Sequence, residues 1–205
     1  GTLTKSSGIG DAAISFSSYA TVAGNPFWIS GALNYPQYLI DNSLATPDWV
    51  MIHLGINDAF SYTSDDAVIA GAATAFNNLD LLITSIKAAG AGVKVGLMIP
   101  TPPAKQDGFG FGYGTGQTAW RDKRNIMLWA KELIARYSGQ EANRVYLVPT
   151  NTALDTENGY PLATSAPVNS RSSVMVQRQN NGVHPDTSGY QQIGDALWAF
   201  LKCNA

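Results

Sequence analysis

Residues 48–56 read DWVMIHLGI, a short and almost continuous apolar run with β-branched and aromatic side chains. A run of this length and composition is typical of a strand that is buried on both faces of a parallel sheet. Two further runs have the same character, VKVGLMIP at 93–100 and VYLVPT at 145–150. Pro100 ends the first of these two, because proline cannot donate to a strand ladder. The sequence therefore predicts three buried parallel strands.

Helical periodicity separates these strands. Residues 65–89 carry apolar side chains three and four positions apart, and Ser64 precedes them as a candidate N-cap. A second amphipathic pattern covers 117–138, and a third runs from about Thr187 to Lys202, with Asp186 or Thr187 as its cap. This alternation of strand and helix predicts a doubly wound α/β sheet, in which ligands bind beyond the carboxyl ends of the strands.

The composition indicates one globular domain over residues 1–205 and excludes several kinds of partner. Hydrophobic residues make up 45% and charged residues 14% of the 205, and 15 acidic against 13 basic residues give a formal charge of −2. No run of Lys or Arg marks a nucleic-acid or membrane-surface binder, and no apolar stretch approaches the ~18 residues of a membrane span. With two histidines and the single Cys203, no cluster has metal-ligand spacing. We expect no metal, cofactor, nucleic acid or membrane.

Two polar segments lie where residues at the carboxyl ends of such a sheet can bind ligands or catalyse reactions. Gly55-Ile56-Asn57-Asp58 directly follows the first strand, and Asn181-Gly182-Val183-His184-Pro185 directly precedes the last helix. The Asn57 amide can donate to a developing oxyanion, and His184 can act as general base for a hydroxyl nucleophile. Each segment alone has an ordinary explanation, a turn for the first and a surface loop for the second. Their occurrence together, in this order, favours a functional interpretation.

The two segments resemble blocks of the SGNH hydrolases, the GDSL-type esterases and lipases, whose third block reads Gly-x-Asn-Asp and whose fifth reads Asp-x-x-His. The resemblance covers most of residues 10–202, including PDWVMIHLGIND, VKVGLMIPTPP, VNSRSS and NGVHPDTSGYQQIGDALWAFL. It implies a flavodoxin-like three-layer sandwich with a mainly parallel sheet, and a cofactor-free serine-type ester hydrolase. By this resemblance Asn57 is an oxyanion-hole donor and His184 is the base that activates a serine. The same resemblance makes Gly55 a substrate-binding residue, because a glycine lets the backbone of this turn approach closely.

The first departure from the family pattern concerns its first block, an apolar strand ending in Gly-Asp-Ser that supplies the nucleophile. No serine in this chain qualifies, and Gly10-Asp11-Ala12 has alanine at the decisive position. We interpret Gly8 to Ala13 instead as the second block, in which Gly10 contributes a backbone N–H to the oxyanion hole. The first dozen residues contain no apolar strand-like run, and the sequence starts at Gly1 without a methionine. We therefore expect a complementing N-terminal segment or chain that carries the serine and the first strands.

The second departure is Asn181, which stands where the family places the acid that orients the histidine. An amide can accept a hydrogen bond from the imidazole but cannot stabilise imidazolium by charge. Three alternatives stay open: a serine–histidine dyad oriented by a carbonyl, another acid such as Asp186, or reduced activity.

For several other residues the evidence of a functional role is weaker. His53 lies inside the first strand and is expected to be a core histidine with satisfied hydrogen bonds. Residues 105–116, KQDGFGFGYGTG, suit either a mobile lip over a pocket or a surface loop, and Tyr113 within them is a candidate substrate-binding residue. Several further aromatic residues could stack on a sugar ring or anchor the core and loops. These are Trp28, Phe60, Tyr62 and Trp120.

Two hypotheses about function follow. The first is an ester hydrolase whose polar, aromatic-rich loops favour short acyl groups, such as acetyl on a carbohydrate. The second is a non-catalytic binding or structural module on the same scaffold. The presence of both Asn57 and His184 favours the first, whereas the absent serine and Asn181 favour the second.

A sheet of three strands is incomplete by itself. It leaves an open edge and an uncovered apolar face, so we expect another segment to complete it. The compartment stays open, with secretion as one option because many members of the family act outside the cell.

Overall fold

The structure is a computed structural model that describes the backbone of residues 2–5 and 12–15 and all atoms of residues 25–106 and 117–204. The helices and strands in these ranges follow one another along the chain as β1 (Thr2–Lys5), β2 (Ala12–Ser15), β3 (Trp28–Ile29), β4 (Ala32–Leu33), α1 (Tyr35–Asp41), β5 (Trp49–Ile52), α2 (Ile56–Ala59), α3 (Asp65–Lys87), β6 (Lys94–Met98), α4 (Ala119–Tyr137), β7 (Val145–Val148), β8 (Leu162–Ser165), β9 (Val176–Gln179) and α5 (Thr187–Asn204).

The central sheet consists of three parallel strands in the order β5-β6-β7. Its register pairs Ile52 with Leu97 and Met98 with Val148. Parallel neighbours require a long crossover connection, which α3 supplies between β5 and β6 and α4 supplies between β6 and β7. The three strands are the three buried runs that the sequence predicts, so the predicted doubly wound α/β fold is confirmed.

Side chains alternate across the sheet and divide the core in two. On one face, residues such as Ile52, Leu97 and Val145 pack with α3 and α4 in a large apolar cluster. On the other face, Met98 and Val148 pack with residues of α5 in a smaller cluster. The sheet therefore lies between two layers of helix, and the apolar face that was expected to be uncovered is packed by α5.

Polar caps define where the long helices begin. Ser64 Oγ accepts from the Ala67 backbone N–H at 3.2 Å ahead of α3. Asp186 Oδ1 accepts from the Gly189 N–H at 3.0 Å at the start of α5, so Asp186 is the cap that stabilises this end. The helix α3 is long and apolar enough to cross a membrane by length and composition. One such helix is weak evidence for a membrane span, because a helix in the core of a globular protein passes the same test. Val68, Leu79 and Ile86 of α3 are fully buried.

Three antiparallel pairs lie where the sequence predicts no strands, and one of them is the short pair β3–β4. At the N-terminus β1 pairs with β2, from Thr2 opposite Ser15 to Lys5 opposite Ala12. Between β7 and α5, where irregular chain is expected, β8 pairs with β9. None of the three pairs joins the parallel sheet. The strands β1 and β2 form without an apolar run, and the β-branched threonines of β1 are residues that favour strands.

Candidate active site

The turn after β5 presents Asn57 at the carboxyl end of the sheet. Gly55 caps the short helix α2 with φ 111°, and its carbonyl accepts from the Ala59 N–H at 3.1 Å. A Cβ on Gly55 would lie 2.5 Å from Nε1 of Trp129, which is fully buried. Glycine is therefore required here by the backbone angle and by the indole beneath it. The Asn57 side chain is exposed to solvent.

A buried asparagine of α4 holds the far end of this turn. The Asn125 amide donates to the carbonyl of Ala59 at 3.0 Å and to the carbonyl of Tyr62 at 2.9 Å, and Arg121 Nε donates to Asn125 Oδ1 at 2.7 Å. Asn125 is wholly buried, so these bonds satisfy a side-chain amide that has no access to water. Asn125 is not among the predicted site residues, although a polar residue within the apolar face of a predicted helix is a signal that could have identified it.

An ion cluster extends from Asn125 to the start of α3. Arg121 Nη2 donates to Asp65 Oδ1 at 2.8 Å, and Arg124 binds both oxygens of the same carboxylate, with Nε at 2.9 Å from each. Hydrogen bonds from Arg124 and Arg121 lower the pKa of Asp65 to about 2. The cluster ties α3 to α4 beside the turn that carries Asn57.

The loop before α5 is a turn closed by Asn181. Its Oδ1 accepts from the backbone N–H of Val183 at 3.0 Å and of His184 at 2.9 Å. Val183 is buried in the large cluster, and the Gly182 carbonyl accepts from the Ala104 N–H at 3.1 Å in the segment after β6. Asn181 therefore lies next to His184 but binds its backbone, which gives the asparagine a structural role in this turn.

The imidazole of His184 is exposed and its Nδ1 lies 3.2 Å from Tyr190 Oη. The alternative orienting acid, Asp186, accepts from Ser188 Oγ at 2.7 Å and from the Gly189 N–H, and these hydrogen bonds lower its pKa. The Asp186 carboxylate thus serves as a helix cap. Tyr190 was missed by the sequence analysis, because nothing local distinguishes a tyrosine six positions after a histidine.

The two predicted residues reach the same edge of the sheet. Asn57 follows β5, and the loop of His184 is bonded to the segment after β6, which is the parallel neighbour of β5. Ala59 and Val183, each two residues or fewer from a predicted site residue, belong to one core cluster. Gly10 and Tyr113 lie outside the described residues.

His53 differs from the satisfied core histidine that was expected. Burial lowers its pKa, and within residues 25–106 and 117–204 its Nε2 is buried without a hydrogen-bond partner. The described part of the chain contains no group of three His, Cys, Asp or Glu side chains that could hold a metal ion. Cys203 is free and exposed.

The candidate aromatic residues divide by exposure. Phe60 and Tyr62 are partly buried and pack against the large cluster, where Tyr62 stacks on Trp129 at 6.4 Å between ring centroids. Trp120 is 64% exposed, and the guanidinium groups of Arg121 and Arg124 lie 5.4 and 5.7 Å from its ring centroid. Of these three residues, Trp120 is the most exposed, and its ring already contacts two guanidinium groups.

Comparisons with known proteins agree with this architecture. The model of the GDSL-like Lipase/Acylhydrolase family matches residues 8–192. The fold is similar to that of a candidate platelet activating factor from Streptococcus pneumonia, with a TM-score of 0.51 and 18% identity over 81% of this chain and 67% of that chain. It is also similar to a candidate acylhydrolase from Bacteroides fragilis NCTC 9343, with a TM-score of 0.50 and 19% identity over 83% of this chain and 67% of that chain. No curated protein matches the sequence. With nearly its whole length matched by the family model, the chain belongs to the GDSL-like lipase/acylhydrolase family.

Proposed function

We propose that this chain carries the histidine and the oxyanion donor of a serine-type ester hydrolase, and that the nucleophilic serine comes from outside residues 1–205. The observation that supports this most is the location of Asn57 and His184 at one sheet edge, on two turns anchored separately to the core. Family membership makes acyl-ester hydrolysis the expected chemistry.

In this proposal His184 Nε2 takes the proton of the serine hydroxyl as its oxygen attacks the ester carbonyl. The carbonyl oxygen becomes an oxyanion, to which the Asn57 amide donates a hydrogen bond. Collapse of this intermediate releases the alcohol, which receives its proton from the imidazolium. Water then attacks the acyl-enzyme by the same route and releases the acid.

The open side of β5 is where we place the complementing segment. Within the described residues β5 pairs with β6 on one side and with no strand on the other. Trp49, Val50 and Met51 are only partly buried, whereas four of the five residues of β6 are fully buried. A parallel strand added to β5 would end at the edge that carries Asn57, because the carboxyl ends of parallel strands coincide. A serine following that strand would lie beside the oxyanion donor.

For the substrate we propose a short acyl ester, such as acetyl on a carbohydrate. The 64% exposure of Trp120 supports this choice, since an aromatic residue at the surface can contact a sugar ring. Both proposed catalytic side chains are exposed to solvent, as a polar substrate carried on a saccharide would require.

A non-catalytic binding module is the second candidate. Asn181 favours it, because this residue is an amide engaged by backbone N–H groups and supplies no charge to stabilise imidazolium. Such a module would keep the cleft at the sheet edge and bind esters or glycans without turnover.

Labelling with a fluorophosphonate, followed by denaturing intact-mass spectrometry of the purified material, separates these candidates. The reagent marks activated serines covalently. We expect the label on a second polypeptide, or on a segment that precedes residue 1. Label on residues 1–205 would overturn the proposal of an external serine, and an unlabelled chain without ester turnover would support the binding module.

Kinetics of acetyl-ester hydrolysis supply the second measurement. We expect His184→Ala to abolish turnover and Asn57→Ala to lower kcat about 10²- to 10³-fold, the usual cost of an oxyanion donor. Asn77→Ala is the matched control, because Asn77 is an exposed asparagine of α3 bonded to Arg136. Equal kcat for the Asn57 and Asn77 variants would exclude Asn57 from the oxyanion hole.

A further inference from the structure

We infer that Tyr190 is a positioning residue that orients the imidazole of His184 and sets its tautomer. Tyr190 Oη lies 3.2 Å from His184 Nδ1, within hydrogen-bond distance. The inference assigns the phenol oxygen as acceptor of the Nδ1–H proton. Nε2 then carries no proton and can accept one as base. The catalytic consequence rests on the proposed function, whereas the tautomer itself does not.

The polar side chains that flank His184 in the sequence have other tasks. Asn181 Oδ1 accepts from two backbone N–H groups, including that of His184 itself. Asp186 Oδ1 caps α5 through the Gly189 N–H and also accepts from Ser188. Tyr190 supplies a side-chain oxygen at Nδ1, the position that a histidine base requires to be occupied if its other nitrogen is to stay unprotonated.

The first turn of α5 holds Tyr190 rigidly enough for this role. The Asp186 N–H donates to the Gly159 carbonyl at 3.0 Å, and the Tyr190 N–H donates to the Asp186 carbonyl at 3.0 Å. At Gly189 the backbones touch so closely that an added Cβ would lie 2.3 Å from the Gly159 oxygen. The backbone at Tyr190 is thereby fixed against the 155–160 segment, and the phenol reaches back over the loop to His184.

A neutral phenol differs from a carboxylate in what it can do. It fixes the ring and the tautomer as an acid would, but it offers no full negative charge to the imidazolium that forms after proton transfer. We therefore expect Tyr190 to contribute through orientation, and its loss to reduce kcat without changing substrate binding.

The test is ¹⁵N NMR of histidine-labelled full-length chain near pH 8.5, about two units above the usual histidine pKa. The chain has two histidines, so His184 and His53 can be assigned with one His184→Ala variant. We expect the His184 ring to be protonated at Nδ1 in the wild type and to move towards the Nε2–H form in Tyr190→Phe. His53 signals should be unchanged, which verifies the fold.

Tyr146→Phe is the matched control, because Tyr146 packs with Trp49 and Phe200 and has no contact with His184 among its ring partners. A wild-type His184 protonated at Nε2, or one whose tautomer is unaffected by Tyr190→Phe, would overturn the inference. A change of equal size in Tyr146→Phe would overturn it as well.

A kinetic measurement distinguishes this inference from the proposed function. In material that hydrolyses acetyl esters, we expect Tyr190→Phe to lower kcat about 10- to 100-fold with KM unchanged, less than the roughly 10²- to 10⁴-fold that an acid–base group itself contributes, because the imidazole remains in place. A lower kcat with a matching rise in KM, or no change, would refute the positioning role. If the wild type shows no turnover the proposed function fails, and the NMR result still decides the role of Tyr190.

Discussion

Replacing Gly55 by alanine tests how the turn that carries Asn57 is built. Gly55 has φ 111°, and a Cβ added to it would lie 2.5 Å from Trp129 Nε1. The indole is fully buried, so it can give way only by displacing the core around it. A residue forced into a rare backbone region costs roughly 1–3 kcal/mol, and an overpacked core costs about as much again. We expect Gly55→Ala to lower the free energy of unfolding by about 2–6 kcal/mol.

Urea unfolding at constant m-value measures this loss. The matched control is Gly139→Ala, because Gly139 also has a positive φ, 75°, but no atom within 4 Å of its added Cβ. The control should lose only the backbone cost of roughly 1–3 kcal/mol. Equal losses in the two variants would refute the argument that Trp129 requires a glycine at position 55. A stable Gly55→Ala protein would refute the backbone argument too.

Three further predictions concern groups around the site. Burial lowers the pKa of His53 below 6.5, so the unfolded chain binds a proton there before the folded chain does, and stability falls as pH drops below about 6.5. In His53→Gln the urea midpoint should fall less between about pH 6.5 and 5, and an unchanged dependence of the midpoint on pH would contradict this prediction. Because the pKa of Asp65 is lowered to about 2, its contribution to stability is present above pH 3.8 and is lost as pH falls through about 2. Asp65→Asn should therefore be less stable than wild type at pH 7 and equal to it near pH 2. A difference in stability that stays constant with pH would exclude the ion cluster as the cause. Asn125→Ala leaves the buried Ala59 carbonyl and the partly buried Tyr62 carbonyl without their donor, and should cost about 1–3 kcal/mol in urea unfolding. This cost should exceed that of the exposed Asn77→Ala, and equal costs would contradict the role of these bonds.

The sequence by itself determined the fold class. The runs at 48–56, 93–100 and 145–150 became the three parallel strands. A continuous apolar run has apolar side chains on both faces of a strand, and these are removed from water only in a sheet that is covered on both faces. The helix patterns were equally local, since spacing of three and four residues places one face against the core. The pairs β1–β2, β3–β4 and β8–β9 were missed because their strands are only two to four residues long and partly polar.

The sequence also identified Asn57 and His184, because their residue types and their places at a strand end and before a helix are local facts. Only the tertiary structure decided what surrounds them. Trp129 lies under Gly55, Asn125 holds the turn from another helix, and the Tyr190 hydroxyl lies beside the imidazole of His184. Such contacts depend on how helices pack on the sheet and on which hydrogen-bond partners the backbone has already engaged. No short pattern encodes those two conditions, because both are set by parts of the chain that meet only when it folds.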